Sequence, residues 1–292
     1  MSPYVESIIT LLMINSIAAM GVSLLTGFTG IFTLGHSAYM ALGAYTTAIL
    51  HMGHSVPWAI AIFAGAAFAM LVAWLIGVPT LRLMGDYYAI ASIGLAESIR
   101  LIIANWQSLT RGARGYPDIS KFATFNVTLA FFLVMGALIF LLIHSRYGRA
   151  FKACRDDHVA ASLLGYNTAR YRVLSLVISA FYCGIAGGLL AGFLQYLKPD
   201  MFDMLKSTEL TAVVVFGGMG SMSGCILGTT IITLVTELFR PISQYRMLIY
   251  GAVLVIIMVL RPEGLLGRYE LGPRLLRHLF GRKTPEGTEG RG

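Results

Sequence analysis

No Asp, Glu, Lys or Arg occurs in the 75 residues between Glu6 and Arg82. Over the whole chain only 12% of residues are charged, against about a quarter in ordinary soluble domains. With 57% hydrophobic residues, a soluble fold of this length has no core large enough to hide its apolar surface. The composition excludes a soluble globular enzyme, a disordered chain and a nucleic-acid-binding module. Cysteine is also scarce. Cys154, Cys183 and Cys225 show neither paired nor metal-ligand spacing, so no disulfide framework or metal site is expected. The P-loop pattern GxxxxGK[ST] is missing, which excludes ATP hydrolysis by that machinery within this chain. No catalytic constellation is present. The opening MSPYVESIITLL lacks the basic n-region of a secretory signal, so the first apolar segment is expected to remain as a helix.

What the chain does contain is long apolar runs, which make a bilayer its natural solvent. Uncharged stretches also cover 122–145, 173–197 and 210–236, and a shorter one, 247–260, lies between Arg246 and Arg261. Those two arginines can snorkel and extend it to a full span. Only helices and closed barrels satisfy every backbone group in lipid. Barrel strands would alternate polar and apolar residues over about ten positions, and these runs are continuous. The expected fold is therefore an all-α polytopic bundle of about eight membrane-embedded helices, given about 20 apolar residues per crossing. The predicted spans are 5–26, 33–51, 56–78, 86–104, 123–144, 171–196 and 245–261. Residues 1–267 form one membrane domain, and 268–292 a basic tail that is partly disordered.

Charge sets the orientation. The net charge is +8, with Arg146, Arg149, Lys152, Arg155, Arg170 and Arg172 in the 145–172 loop and seven more cations after Leu260. Both segments read as cytoplasmic and suit anionic lipid headgroups. The 105–122 loop then lies outside. An even number of crossings between the two basic segments requires 207–239 to enter and leave on the outer side. A re-entrant pair is predicted: a half-helix over 207–216, a turn at GGMGSMSG (217–224) and a helix back over 225–239. One long kinked span is the alternative. Gly217, Gly218 and Gly220 supply the backbone freedom such a turn needs, and a second Gly-rich break, TGFTG, occupies 26–30.

Small residues recur every fourth position at Ala61, Gly65, Ala69, Ala73 and Gly77, and again at Ala180, Gly184, Gly188 and Gly192. One helix face of small side chains permits close approach of membrane helices, and packing is the simplest reading of both rows. Intramembrane ionisable residues mark pathways or structural ion pairs. His36, Glu97 and Arg100 are the candidates, with Glu97 and Arg100 spaced to pair on one helix face. Glu209 and Glu237 read as interfacial.

The most informative segment is SRYGRAFKACRDDHVAASLLGYNTARYR, 145–172. Asp156 or Asp157 can cap a helix running through HVAASLLG, and Gly165 before Tyr166-Asn167 reads as its stop. The prediction is a short cytoplasmic helix near 157–164 with an apolar patch of Val159, Ala160, Leu163 and Leu164. It suits either docking to a soluble partner or lying on the surface.

Val159-Ala160-Ala161-Ser162-Leu163-Leu164-Gly165 resembles the EAA loop of ATP-binding-cassette importer permeases, with Val159 in place of the glutamate. That departure is usual in the permeases for branched-chain amino acids. Further stretches resemble the LivM-like branch of that LivH/LivM family: GFTGIFTLGHSAYMALGAYT, LRLMGDYYAIASIGLAESIRL, NWQSLTRG, GRAFKACRDDHVAASLLGYN, VVVFGGMGSMSGCILG and YRMLIYGAVLVIIMVLRPEGLLG. The similarity runs from about residue 10 to 267. Met84 stands where relatives often carry a second basic residue, and TRGARGY departs from their usual Gly-Gly turn.

The resemblance implies a transport subunit rather than an enzyme, in the bacterial inner membrane. It implies a homologous LivH-type permease, two ATPase subunits that use ATP, an external substrate-binding protein, and no cofactor on this chain. Leucine, isoleucine and valine are the implied cargo, with urea or short amides as the alternative. Asp156, Asp157, His158, Val159, Ala160, Ala161, Leu163, Leu164 and Gly165 would form the coupling surface, and His36, Glu97, Arg100, Gly217, Gly218 and Gly220 the pathway or gate. An ion-coupled transporter using His36, Glu97 and Arg100 is the runner-up, and a passive channel the third reading.

Overall fold

The computed structural model describes residues 3–83, 85–238 and 251. The predicted span 245–261 and the tail 268–292 lie outside them, apart from Gly251. The described residues are helical, with a single isolated bridge between Tyr116 and Leu197. Helix α1 (Pro3–Val22) continues as a π-helical stretch, Ser23–Phe28. It is followed by α2 (His36–His54), α3 (Trp58–Thr80), α4 (Asp86–Asn105) and the short α5 (Gln107–Thr110). Then come α6 (Phe125–His144), α7 (Arg146–Asp156), α8 (His158–Leu163) and α9 (Thr168–Leu194). A hairpin of α10 (Met204–Gly217) and α11 (Met222–Leu238) completes the described chain.

Five of these helices are long and apolar enough to cross a membrane: α1 with its π-helical extension, α3, α4, α6 and α9. The chain is a multi-pass membrane protein. Helix α9 is the axis of the bundle and packs on α1, α2 and α3. Helices α1 and α9 bury most of their apolar length, whereas α3, α4 and α6 bury a third or less. Side chains such as Phe63, Leu71, Ile90, Leu133 and Leu141 remain exposed on those perimeter helices. Helix α2 is more polar but lies between α3 and α9 with His36, Ser37 and Thr47 fully buried.

The two rows of small residues make this core possible. A Cβ on Gly184 would stand 2.7 Å from Ala66 Cα, and one on Gly188 would stand 2.8 Å from Thr47 Oγ1. Gly65 faces the Gly43 carbonyl at 2.6 Å in the same sense. Only hydrogen fits at these crossings, so the α2–α3–α9 core depends on glycine for close approach. Ala61, Ala69, Ala73 and Ala180 are likewise buried.

The bundle has two distinct ends. At one, His51 Nε2 meets Ser120 Oγ at 2.6 Å, Tyr116 N donates to Leu197 O at 2.8 Å, and Arg100 reaches Asp200. At the other lie the chain around 27–35, Arg82 and helices α7 and α8. That second end carries Arg82, Arg146, Arg149, Lys152, Arg155, Arg170 and Arg172, against Arg100, Arg111, Arg114, Lys121 and Lys198 at the first, where Arg100 is already paired with Glu97 and Asp200. The excess makes it the inner end by the positive-inside rule.

The described part of segment 207–239, to Leu238, is a helical hairpin rather than one kinked span. Gly217 and Gly224 face each other so closely that a Cβ on either would strike the other's carbonyl. The turn is tighter than expected. Helix α11 begins at Met222, so Ser223 and Gly224 belong to the helix and only 218–221 to the turn. Gly218 and Gly220 take φ of 115° and 96°, a region open mainly to glycine. The predicted loop 145–172 also differs. Most of it is helical, because Tyr147, Ala150, Phe151 and Cys154 recur at helical spacing and α7 buries Ala150, Phe151 and Cys154 against the bundle.

Candidate functional site: the inner-end helices and the chain breaks

The site begins where α6 turns into α7. Ser145 caps α7, its Oγ accepting from Tyr147 N at 3.1 Å. A Cβ on Gly148 would collide with the Ile143 backbone, so this corner needs glycine. Phe151 is fully buried and meets Tyr171 of α9 edge-on at 6.1 Å. Lys152 Nζ lies 5.5 Å above the Phe28 ring, a cation–π distance. Helix α7 is thereby fixed to α9 and to the π-helical end of α1.

Helix α8 follows after one residue. Of the two candidate caps, Asp157 is the cap. Its Oδ1 accepts from Val159 N at 2.8 Å and Ala160 N at 3.1 Å. The hydrogen bonds from the Ala160 and Val159 amides hold its carboxyl below the usual aspartate range. Asp156 is the last residue of α7 and pairs with Arg155 at 3.3 Å. The stop is a Schellman motif. Tyr166 N donates to Ala161 O at 3.1 Å, Gly165 N donates to Ser162 O at 3.0 Å, and Gly165 adopts φ of 85°.

Ala161 is buried and so lies off the outer patch. Val159, Leu163 and Leu164 are 56%, 84% and 76% exposed. Two large aliphatic side chains on a six-residue helix and a third, Leu164, at its C-cap, with His158 and Ala160 also exposed, form an apolar knob at the basic end.

Arg155 links this knob to the interior, and sequence reasoning did not single it out. Its Nη1 donates to Gly27 O at 2.9 Å. A Cβ on Gly220 would stand 2.6 Å from the same Nη1, and one on Gly27 would stand 2.8 Å from Gly220 N. The two Gly-rich breaks therefore meet, and the guanidinium lies against both. The carbonyls at a helix end lack intrahelical partners, and an arginine supplies several donors in a fixed fork.

The chain after the first break is held by hydroxyl groups from three helices. Ser207 Oγ of α10 accepts from Ser37 N at 2.9 Å. Thr211 Oγ1 donates to Thr33 O at 3.0 Å. Leu34 N donates to Ser92 Oγ of α4 at 3.0 Å. His36 sits in this hub, fully buried, with Nε2 at 2.8 Å from Ser179 Oγ of α9. Among the described residues its Nδ1 has no hydrogen-bond partner.

Glu97 and Arg100 are elsewhere. They pair with each other, and Arg100 also reaches Asp200 at 2.8 Å. They lie roughly one and a half to two turns further along α4 than Ser92, beside an open groove of about 480 Å³ at the outer end. The structure does not unite His36 with Glu97 and Arg100. Glu209 is not at a span end. It is half-buried, pairs with Lys206 at 3.2 Å, and Lys206 also donates to Asn15 in the middle of α1.

Comparison with known proteins is consistent over nearly the whole chain. A family model described as "Branched-chain amino acid transport system / permease component" matches residues 4–258. The high-affinity branched-chain amino acid transport system permease protein LivM of Escherichia coli K12 is 31% identical, over 89% of this chain and 69% of that protein. Its counterpart LivH from the same strain is 28% identical, over 88% and 92%. BraD of Pseudomonas aeruginosa is 32% identical over 48% and 46%. No solved structure matches the chain.

Proposed function

Because this chain belongs to the branched-chain amino acid transport permease family, we propose that it is one membrane subunit of an ATP-driven importer. Its cargo is leucine, isoleucine, valine or a related small amino acid, and its location is the bacterial inner membrane. The subunit pairs with a LivH-type permease, receives substrate from an external binding protein, and is driven by two ATPase subunits that use the ATP. It binds no cofactor of its own.

The observation that carries this reading is the exposed knob of Val159, Leu163 and Leu164, joined through Arg155 to both chain breaks. The knob seats on the ATPase. Helix α7 is anchored by Phe151 and Lys152, so movement of α8 reaches Gly27 and Gly220 as displacement of the Arg155 guanidinium. Two glycine breaks in contact are a place where α1 and the hairpin can change relative position with little steric resistance. His36 and the Ser37–Ser207 contact then form the hinge side of that movement rather than a proton relay.

Co-purification in mild detergent tests the assignment. The wild type is expected to bring down a P-loop ATPase and a second permease. Gly165→Arg is expected to lose the ATPase at equal membrane abundance: no atom lies within 4 Å of a Cβ there, and the strain of a non-glycine residue at φ of 85° falls on the exposed stop of α8 rather than on the bundle. A wild type that purifies alone and takes up substrate on an ion gradient would refute the proposal in favour of ion coupling.

A further inference from the structure

A groove of about 810 Å³ opens at the inner end, between α3, α9 and the start of α8. Its mouth carries Arg82, Arg170 and Arg172, with His158 beside them. Its depth is apolar: Trp74 and Val78 on one wall, Val173 and Val177 on the other. Trp74 lies about 9 Å below the end of α3 at Thr80 at 1.5 Å per residue, and Arg82 follows in the turn just beyond, so the groove runs from headgroup level into hydrocarbon.

Among the described residues no carboxylate lines it, and none of the three arginines forms an ion pair. Arg172 Nε is moreover out of contact with solvent and lacks a hydrogen-bond partner among those residues. A buried donor without a partner is costly. Trp74 is 56% exposed, and tryptophan is favoured at membrane interfaces.

We propose that this groove is a binding site for an anionic phospholipid of the inner leaflet. The phosphate sits among Arg82, Arg170 and Arg172, and one acyl chain lies along Trp74, Val78 and Val177. Guanidinium groups bind phosphate in a fork geometry, and the apolar wall excludes a free phosphate as the natural occupant. The chain's own segment after Leu260 carries seven cations against four glutamates, so its net charge has the same sign as the mouth.

The test is lipid retention by the purified full chain. Wild type and variants are taken from nanodiscs of phosphatidylcholine with phosphatidylglycerol of matched acyl chains, delipidated mildly and weighed by native mass spectrometry. Wild type is expected to retain phosphatidylglycerol preferentially. Arg172→Gln should lower that retention about fivefold, the usual worth of one cation near an anionic surface, and adding Arg82→Gln should lower it further. Arg172→Lys should retain most of it, and Arg146→Gln on α7, outside the groove, should leave it unchanged. Equal retention by wild type and the double variant overturns the proposal, as does an equal loss in Arg146→Gln. Unchanged retention in Arg172→Gln with loss of a co-purifying protein would assign the groove to that protein and also overturn it. The readout is independent of transport and of any ATPase, so it can fail while the importer reading stands.

Discussion

Replacing Arg155 is the sharpest perturbation of the proposed coupling path. The Arg155 side chain is 20% exposed, and its Nη1 donates to Gly27 O at 2.9 Å. A hydrogen bond to a charged group contributes about 1.5–3 kcal/mol. At about 1.4 kcal/mol per factor of ten, that is roughly a ten- to 150-fold change in an equilibrium constant. If the contact exists in only one of the two access states, Arg155→Ala shifts the balance between them by that factor. ATP hydrolysis by the co-purified complex should then continue while substrate moved per ATP falls at least tenfold. Arg155→Lys keeps the charge but lacks the planar fork that reaches Gly27 O and Asp156 together, so an intermediate loss is expected. The assay is uptake and hydrolysis measured in the same proteoliposomes at equal protein content. Arg155→Ala with an unchanged uptake-to-hydrolysis ratio would refute the argument, because the contact would then be equally present, or equally irrelevant, in both states.

Three further outcomes follow from the same geometry. Leu163→Asp should change thermal stability by no more than about 0.5 kcal/mol, as at other exposed positions, yet abolish ATPase co-purification; retained ATPase would remove α8 from the docking surface. Gly184→Ala places a Cβ 2.7 Å from Ala66 Cα, where ordinary contact begins at 3.4 Å; overpacking of about 1–3 kcal/mol should lower the melting temperature in detergent, whereas Gly94→Ala, which meets nothing within 4 Å, should not. The Asp157 carboxyl is held below its usual value of 3.8 by the Ala160 and Val159 amides, so its support of α8 is complete above that value and is lost as pH falls through the lower folded value. Hydrogen exchange at Val159 and Ala160 should therefore quicken on acidification in wild type beyond the ordinary pH trend, and Asp157→Asn, which caps without titrating, should abolish that excess.

Much of the architecture is legible in composition and spacing. Apolar runs of membrane length force helices, because lipid offers the backbone no other partner. The hairpin within 207–239 followed from counting crossings between two basic segments, and glycines marked its turn: Gly218 and Gly220 because few other residues accept their backbone angles, Gly217 because it packs directly on Gly224. Gly165 and the Asp156–Asp157 pair announced α8, since caps act within one helical turn of their own sequence. The signal for α7 was also present, in the spacing of Tyr147, Ala150, Phe151 and Cys154.

Other features depended on which helices stack and at what height. Sequence distance says nothing about Arg155 meeting Gly27, 128 positions earlier, or about both meeting Gly220. Ser37, Ser92, Ser207 and Thr211 look like tolerated hydroxyls in apolar spans until α4 and α10 bring them to one stretch of backbone. The separation of His36 from Glu97 and Arg100 is likewise set by their different heights in the bundle. Local spacing determined which faces are apolar and where helices start and stop, because those are properties of one turn of chain. Only the packing of α9 against α1, α2 and α3 decided which faces, charges and glycines meet, because a helical period specifies a face but not the partner opposite it.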